Sequence, residues 1–157
     1  MGIKLKRLIK ASTEDSKKNL YGVMCSLDTL YKQIKFFHWV MTGDNYIALH
    51  RFLDEVAGTV SEGVDLIAER LVYIGFNPIF DPKVVMEKSN IKYNSTETYD
   101  GFKSIQVIID GLNTAIKDLA DITEQTGNER DFGTQQFAAE LLYNLEVQKH
   151  HLESFGN

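Results

Sequence analysis

The chain has 157 residues, 43% apolar and 25% charged, the balance of a soluble globular protein with enough length for one proper core. Its net charge of −5 is unevenly placed: Lys4, Lys6, Arg7 and Lys10 stand without an acid in residues 1–10, so the rest of the chain is more acidic than the whole. Cys25 is the only cysteine, which excludes an intrachain disulfide, and no apolar run is long enough for a membrane span or a signal peptide, so the expected setting is intracellular and cytoplasmic.

The two prolines, Pro78 and Pro82, lie close together, and such scarcity between long periodic segments favours an all-α architecture. The first long helix is predicted from Ser12 to Met41, with Ser12 or Thr13 as its cap and Glu14 and Asp15 in its first turn. Leu20, Val23, Met24, Leu27, Leu30, Tyr31, Ile34, Phe37 and Met41 form its apolar stripe, His38 falls on or beside that stripe, and Gly43 ends the helix. The second helix starts at Asp44 or Asn45 and runs to about Ile74, before Gly75. So short a turn between two long helices makes them an antiparallel hairpin.

Residues 75–97 break the period and match a crossover that travels the length of a bundle, with room for a short helical piece. The third long helix is predicted from about Thr98 to Glu124, with Gly127 as its stop, and the fourth from about Asp131 to Phe155. The expected architecture is a four-helix bundle spanning residues 13–157, with a long crossover between its second and third helices, preceded by a basic arm at residues 1–12.

Chemistry concentrates between Phe37 and Arg70. His50 with Asp54, and Asp65 with Glu69, are pairs at a spacing of four on the second helix, so each pair stacks on one face. All four fall within about a 100° arc, yet the midpoints of the pairs lie roughly 22 Å apart along the axis. A metal ion binds ligands at roughly 2 Å, so one chain cannot put both pairs on one ion. Symmetry can: 50 and 69 sum to 119, as do 54 and 65. If two copies of this helix cross antiparallel about a two-fold axis near Thr59 and Val60, His50 and Asp54 of one face Glu69 and Asp65 of the other. The small residues Ala57, Gly58, Ser61 and Gly63 suit such an axis. His38, just before the hairpin turn, lies at about the height of His50. Any single acid–histidine pair is ordinary on a solvated helix face, and a lone His38 beside an apolar stripe is ordinary in a core; five such groups in a palindrome are not. Two imidazoles and three carboxylates without a thiolate suit iron.

At these residues the chain resembles the Dps proteins, the dodecameric mini-ferritins. The resemblance rests on LYKQIKFFHWVMTGDNYIALHRFLDEVAGTVSEGVDLIAER, on the IGFNP turn and on the DFGT start of the last helix, and covers nearly the whole chain after the first dozen residues. It implies a ferritin-like bundle and a homo-oligomeric shell of twelve subunits. Fe(II) would be oxidised there, preferably by hydrogen peroxide, and ferric mineral stored inside, protecting against oxidative damage. By that resemblance the ferroxidase ligands are His38, His50 and Asp54 of one subunit with Asp65 and Glu69 of its two-fold mate. Trp39 matches the family tryptophan beside the site, thought to intercept oxidising equivalents; a packed interface aromatic is the plainer reading of it. Iron entry by acidic three-fold pores points to Asp121, Glu124, Glu129 and Asp131, with Asp131 equally a helix cap.

The chain departs from the family in its last helix. The segment that carries a second tryptophan in many members reads Glu146-Val147-Gln148-Lys149-His150 here, so a role needing two tryptophans is in doubt. His150 and His151 read as surface histidines at a helix C-terminus rather than ligands. Some relatives bind DNA through basic tails and others do not. Lys4, Lys6, Arg7 and Lys10, repeated on twelve subunits, would give a salt-sensitive, multivalent phosphate contact and nucleoid association, while Ile3, Leu5, Leu8 and Ile9 could instead pack the arm down. Beside the ferroxidase reading stand a structural DNA-compacting protein with a vestigial metal site, and a helical scaffold.

Overall fold

Thr13 starts the bundle, its hydroxyl accepting the Ser16 amide at 3.2 Å as an N-cap. From there the computed structural model describes residues 12–94 and 100–155. They form α1 (Glu14–Val40), α2 (Tyr46–Tyr73), α3 (Pro82–Lys88), α4 (Gly101–Asn128) and α5 (Phe132–Phe155). The described residues contain no strand; an isolated bridge ties Thr42 to Asp100. None of their helices is long and apolar enough to cross a membrane. The arm cations Lys4, Lys6, Arg7 and Lys10 lie outside the described residues.

The four long helices make the expected bundle. α1 packs against α2 and α4, α4 against α5, and α2 against α5. The α1 stripe is sealed, with Leu20, Met24, Leu27, Leu30 and Ile34 fully buried against Leu53, Val60, Ile67 and Leu71 of α2 and Ile108, Leu112 and Leu119 of α4. Burial of this apolar area, at about 25 cal/mol per Å², is what holds these helices together.

The crossover holds the short helix α3. Asp81 caps it, accepting from the Lys83 and Val84 amides, and Pro82 occupies its first position, where no amide is needed. Side chains of α1 pin the segment along the bundle: the Tyr21 hydroxyl donates to the Ile79 carbonyl at 2.7 Å, Ser26 Oγ accepts the Asn90 amide at 2.9 Å, and Gln33 Oε1 accepts the Asn94 amide at 2.6 Å. These contacts account for polar residues inside the predicted apolar face.

α2 starts after Asn45, as expected, although the Asn45 side chain makes no cap hydrogen bond. Two boundaries differ from the sequence reading. α4 begins after Asp100, whose carboxylate accepts the Phe102 amide at 2.8 Å, while Thr98 lies outside the described residues. Gly127 does not stop α4. It sits inside the helix because α5 comes close: the Gln135 side chain occupies the space a Cβ would fill. The stop falls at Arg130, at φ 63, where the Arg130 amide donates to the Gly127 carbonyl and the Asp131 amide to the Thr126 carbonyl, a Schellman closure made without glycine. Gly75, at φ 80, closes α2 with the same pattern through its own amide and that of Phe76.

Candidate metal centre

The α1–α2 hairpin levels His38 with His50, as the sequence spacing requires. His38 Nδ1 donates to the His50 carbonyl and His50 Nδ1 donates to the His38 carbonyl, both at 2.8 Å. The rings stack with centres 3.7 Å apart. A carbonyl oxygen can only accept, so both Nδ1 atoms carry a proton, and in a neutral ring with that tautomer the lone pair lies on Nε2. Backbone orientation of the far ring nitrogen is the arrangement that prepares imidazole as a metal ligand. His38 is buried and His50 half-buried, so two ordered donors look out from the wall of the bundle.

Asp54, one turn beyond His50, joins them. Its Oδ1 is 3.5 Å from His38 Nε2. The same oxygen accepts a 2.7 Å hydrogen bond from Lys35 Nζ, a partner the sequence reading missed. The signal was available, because the register that levels residue 38 with residue 50 also levels residue 35 with the turn containing residue 54. That hydrogen bond holds the Asp54 carboxyl below the usual carboxylate value, with a further pull from the Lys35 charge.

Asp65 and Glu69 lie on the same exposed face of α2 but farther along the helix. Within the single chain, the described residues contain no group of three or more His, Cys, Asp or Glu side chains that could hold one metal ion. A second row runs through the same face. At roughly 100° per residue, Ile47, Asp54, Gly58, Ser61, Asp65 and Val72 line up along α2. All six are exposed. They also pair by the same sum, 47 with 72, 54 with 65 and 58 with 61, so the row is self-complementary under the two-fold inferred from the ligand spacing. A Cβ added at Gly58 would meet nothing within 4 Å, which leaves open space at the middle of the row.

Trp39, beside His38, is 67% exposed on the rim of an apolar hollow lined by Phe36, Met86 and Tyr93. The four acidic residues near the α4–α5 corner divide. Asp121 is paired with Lys117 at 2.7 Å on the surface, and Glu124 is exposed. Glu129 accepts from the Thr13 amide, the Thr13 hydroxyl and Ser16 Oγ. Asp131 is buried: it caps α5 through the Thr134 amide at 3.1 Å, accepts from the Ser12 and Thr134 hydroxyls, and pairs with Arg70 at 3.2 Å. Burial alone would raise its carboxyl pKa, but the hydroxyls, the amide and the guanidinium together hold it below the usual value.

A bundle of this connectivity, with paired imidazoles and carboxylates on its first two helices, defines a class: the chain belongs to the ferritin-like family, whose domain matches residues 17–157. Within it, the Dps resemblance read from the sequence is borne out. The DNA protection during starvation protein of Halobacterium salinarum is 29% identical over 132 residues, covering 84% of this chain and 72% of that protein. The crystal structure of an archaeal Dps homologue from Halobacterium salinarum superposes with a TM-score of 0.87 at 28% identity, covering 92% of this chain and 80% of that one. The Dps protein of Vibrio cholerae, described as a member of a broad superfamily of ferritin-like diiron-carboxylate proteins, has the same fold, with a TM-score of 0.90 at 22% identity over 100% and 98% of the two chains.

Proposed function

We propose that this protein is a ferroxidase mini-ferritin, which oxidises Fe(II) at sites shared between two-fold-related subunits and stores the ferric product inside a dodecameric shell. The observation that carries the reading is the reciprocal lock of His38 and His50. It commits both Nδ1 protons to backbone carbonyls and leaves both Nε2 atoms outside those bonds, that of His38 3.5 Å from Asp54 Oδ1. Asp65 and Glu69 of a second copy complete the set. Imidazole with carboxylate is a borderline-to-hard ligand field suited to Fe(II), and added carboxylate favours the ferric product. Two Fe(II) ions give one electron each to hydrogen peroxide, which takes up two protons and leaves as two waters. The chain orients the donors and yields Asp54 to the incoming ion as Lys35 withdraws.

Iron enters past Asp121 and Glu124, whose carboxylates face solvent; Glu129 and Asp131 are committed to the chain's own corner. Trp39, exposed beside His38, intercepts stray oxidising equivalents. The test is peroxide-driven oxidation of Fe(II) by the purified assembly, followed by retention of iron on gel filtration. His50→Ala with Asp54→Ala is expected to abolish the fast phase, and an unchanged rate in that variant rejects the site.

A second reading, DNA compaction by the basic arm, is favoured by the name of the Halobacterium salinarum relative, a DNA protection protein. The arm's cations would supply the phosphate contacts, against the repulsion of an acidic body.

A further inference from the structure

The two halves of each proposed site are held differently. Reciprocal hydrogen bonds lock His38 and His50. Asp65 and Glu69 have no comparable lock among the described residues; the Tyr73 hydroxyl reaches Glu69 Oε2 at 3.4 Å, at the long end of hydrogen bonding. Glu69 also lies close to the end of α2 at Tyr73, and helix ends fray. Packing on α5 is incomplete there, because the two helices part around a hollow lined by Glu62, Leu66, Phe137 and Glu140. A carboxylate binds a metal at roughly 2 Å, which leaves little room for play.

The next residue, Arg70, reaches across to α5. Its Nε and Nη2 donate to Thr134 Oγ1 at 3.1 and 3.0 Å, and Nη2 also donates to Asp131 Oδ1 at 3.2 Å. Asp131 and Thr134 are both buried, and the Ser12 hydroxyl holds the other oxygen of Asp131. Gly133 makes the approach possible. It lies inside α5 with helical backbone, so its conformation does not call for glycine. A Cβ there would stand 2.8 Å from Arg70 Nη2 and 3.5 Å from its Cζ, inside the space of the guanidinium. The cradle fits a planar fork of donors, which lysine cannot supply. An ion pair serving stability alone needs neither the fork nor the missing Cβ. We propose that Arg70 is the positioning residue of the acid half: it pins the last turns of α2 to α5 and so sets the place of Glu69 in the site shared with a second copy. The role rests on the ferroxidase reading above.

Anaerobic titration of the assembled protein with Co(II), followed by the visible absorption of the bound ion, tests this. Arg70→Lys keeps a positive charge for Asp131 but loses the fork. Gly133→Ala keeps Arg70 but displaces its guanidinium, and should hold or raise the thermal midpoint, since glycine is a poor helix residue. Both variants are expected to reach wild-type mass by light scattering and to bind Co(II) roughly fivefold more weakly, the scale of one hydrogen bond to a charged group. In a Glu69→Ala background neither change should weaken Co(II) binding further, because the carboxylate that Arg70 positions is gone. Wild-type affinity in either variant overturns the proposal, as does the same weakening with and without Glu69, or loss of assembly in either variant. Wild-type Co(II) binding that is lost in His50→Ala with Asp54→Ala but intact in Arg70→Lys overturns this proposal alone. Co(II) binding that ignores His50→Ala with Asp54→Ala overturns the ferroxidase site and this proposal together.

Discussion

Lys35 holds the oxygen of Asp54 that an incoming Fe(II) would need. Its ammonium compensates the carboxylate and, on the ferroxidase reading, would compete with iron for it. Lys35→Met removes the competitor, so Fe(II) should bind roughly twofold to fivefold more tightly, the scale of one exposed ion pair. Isothermal titration under anaerobic conditions measures this, and unchanged or weaker binding would show that Lys35 is a bystander. Asp131 acts on stability instead. Its carboxyl is held below the ordinary Asp value of about 4, so its contribution is complete above that pH and is lost as pH falls through the lowered folded value. The thermal midpoint of the wild-type protein should drop across that acid window. Asp131→Asn keeps an acceptor for the Thr134 amide but has no charge to lose, and its midpoint should drop less there. Equal slopes for the two proteins would remove Asp131 from the account.

α2 carries both the proposed ligands and the row proposed to meet its own copy. Gly58 separates these two duties, because a Cβ added there meets nothing within 4 Å in its own chain. Gly58→Leu should therefore leave helicity by circular dichroism intact or slightly raised, since glycine is a poor helix residue by about 1 kcal/mol. The same variant should break the assembly, with light scattering reporting small species and Fe(II) oxidation falling with mass. A full-size shell from Gly58→Leu would mean that the two-fold axis lies elsewhere. At the other end of the bundle, the α4–α5 corner shows how an element boundary escapes composition. Gly127 reads as a stop, yet the turn is made by Arg130, and three residues earlier the glycine leaves room that the Gln135 side chain fills. Only the packing of α5 on α4 distinguishes a glycine that ends a helix from one that admits a neighbour.

For the whole molecule, the ferroxidase reading requires at least a dimer and the Dps resemblance implies twelve subunits. Light scattering of the native protein should report the dodecamer; a monomer would leave the two halves of each site apart. Assembly also decides the DNA question. Arms carrying Lys4, Lys6, Arg7 and Lys10 on every subunit would shift duplex DNA at low salt and release it at moderate salt, because multivalent phosphate contacts are steeply ionic-strength dependent. Absence of a shift at low salt ends that reading and leaves iron chemistry as the function.

By itself the sequence determined the helical hairpin, the crossover and the level of His38 with His50, because a period of 3.6 residues and a short turn leave little freedom in register. Its palindrome on α2 also pointed to a shared site before any contact was known. Only the tertiary structure decided that Nδ1 of each imidazole is a donor, since the group facing it is a carbonyl. It also placed Lys35 on Asp54, and it took Glu129 and Asp131 into a corner held by Ser12, Thr13 and Arg70. These are contacts between residues far apart in the chain, and no local periodicity carries them.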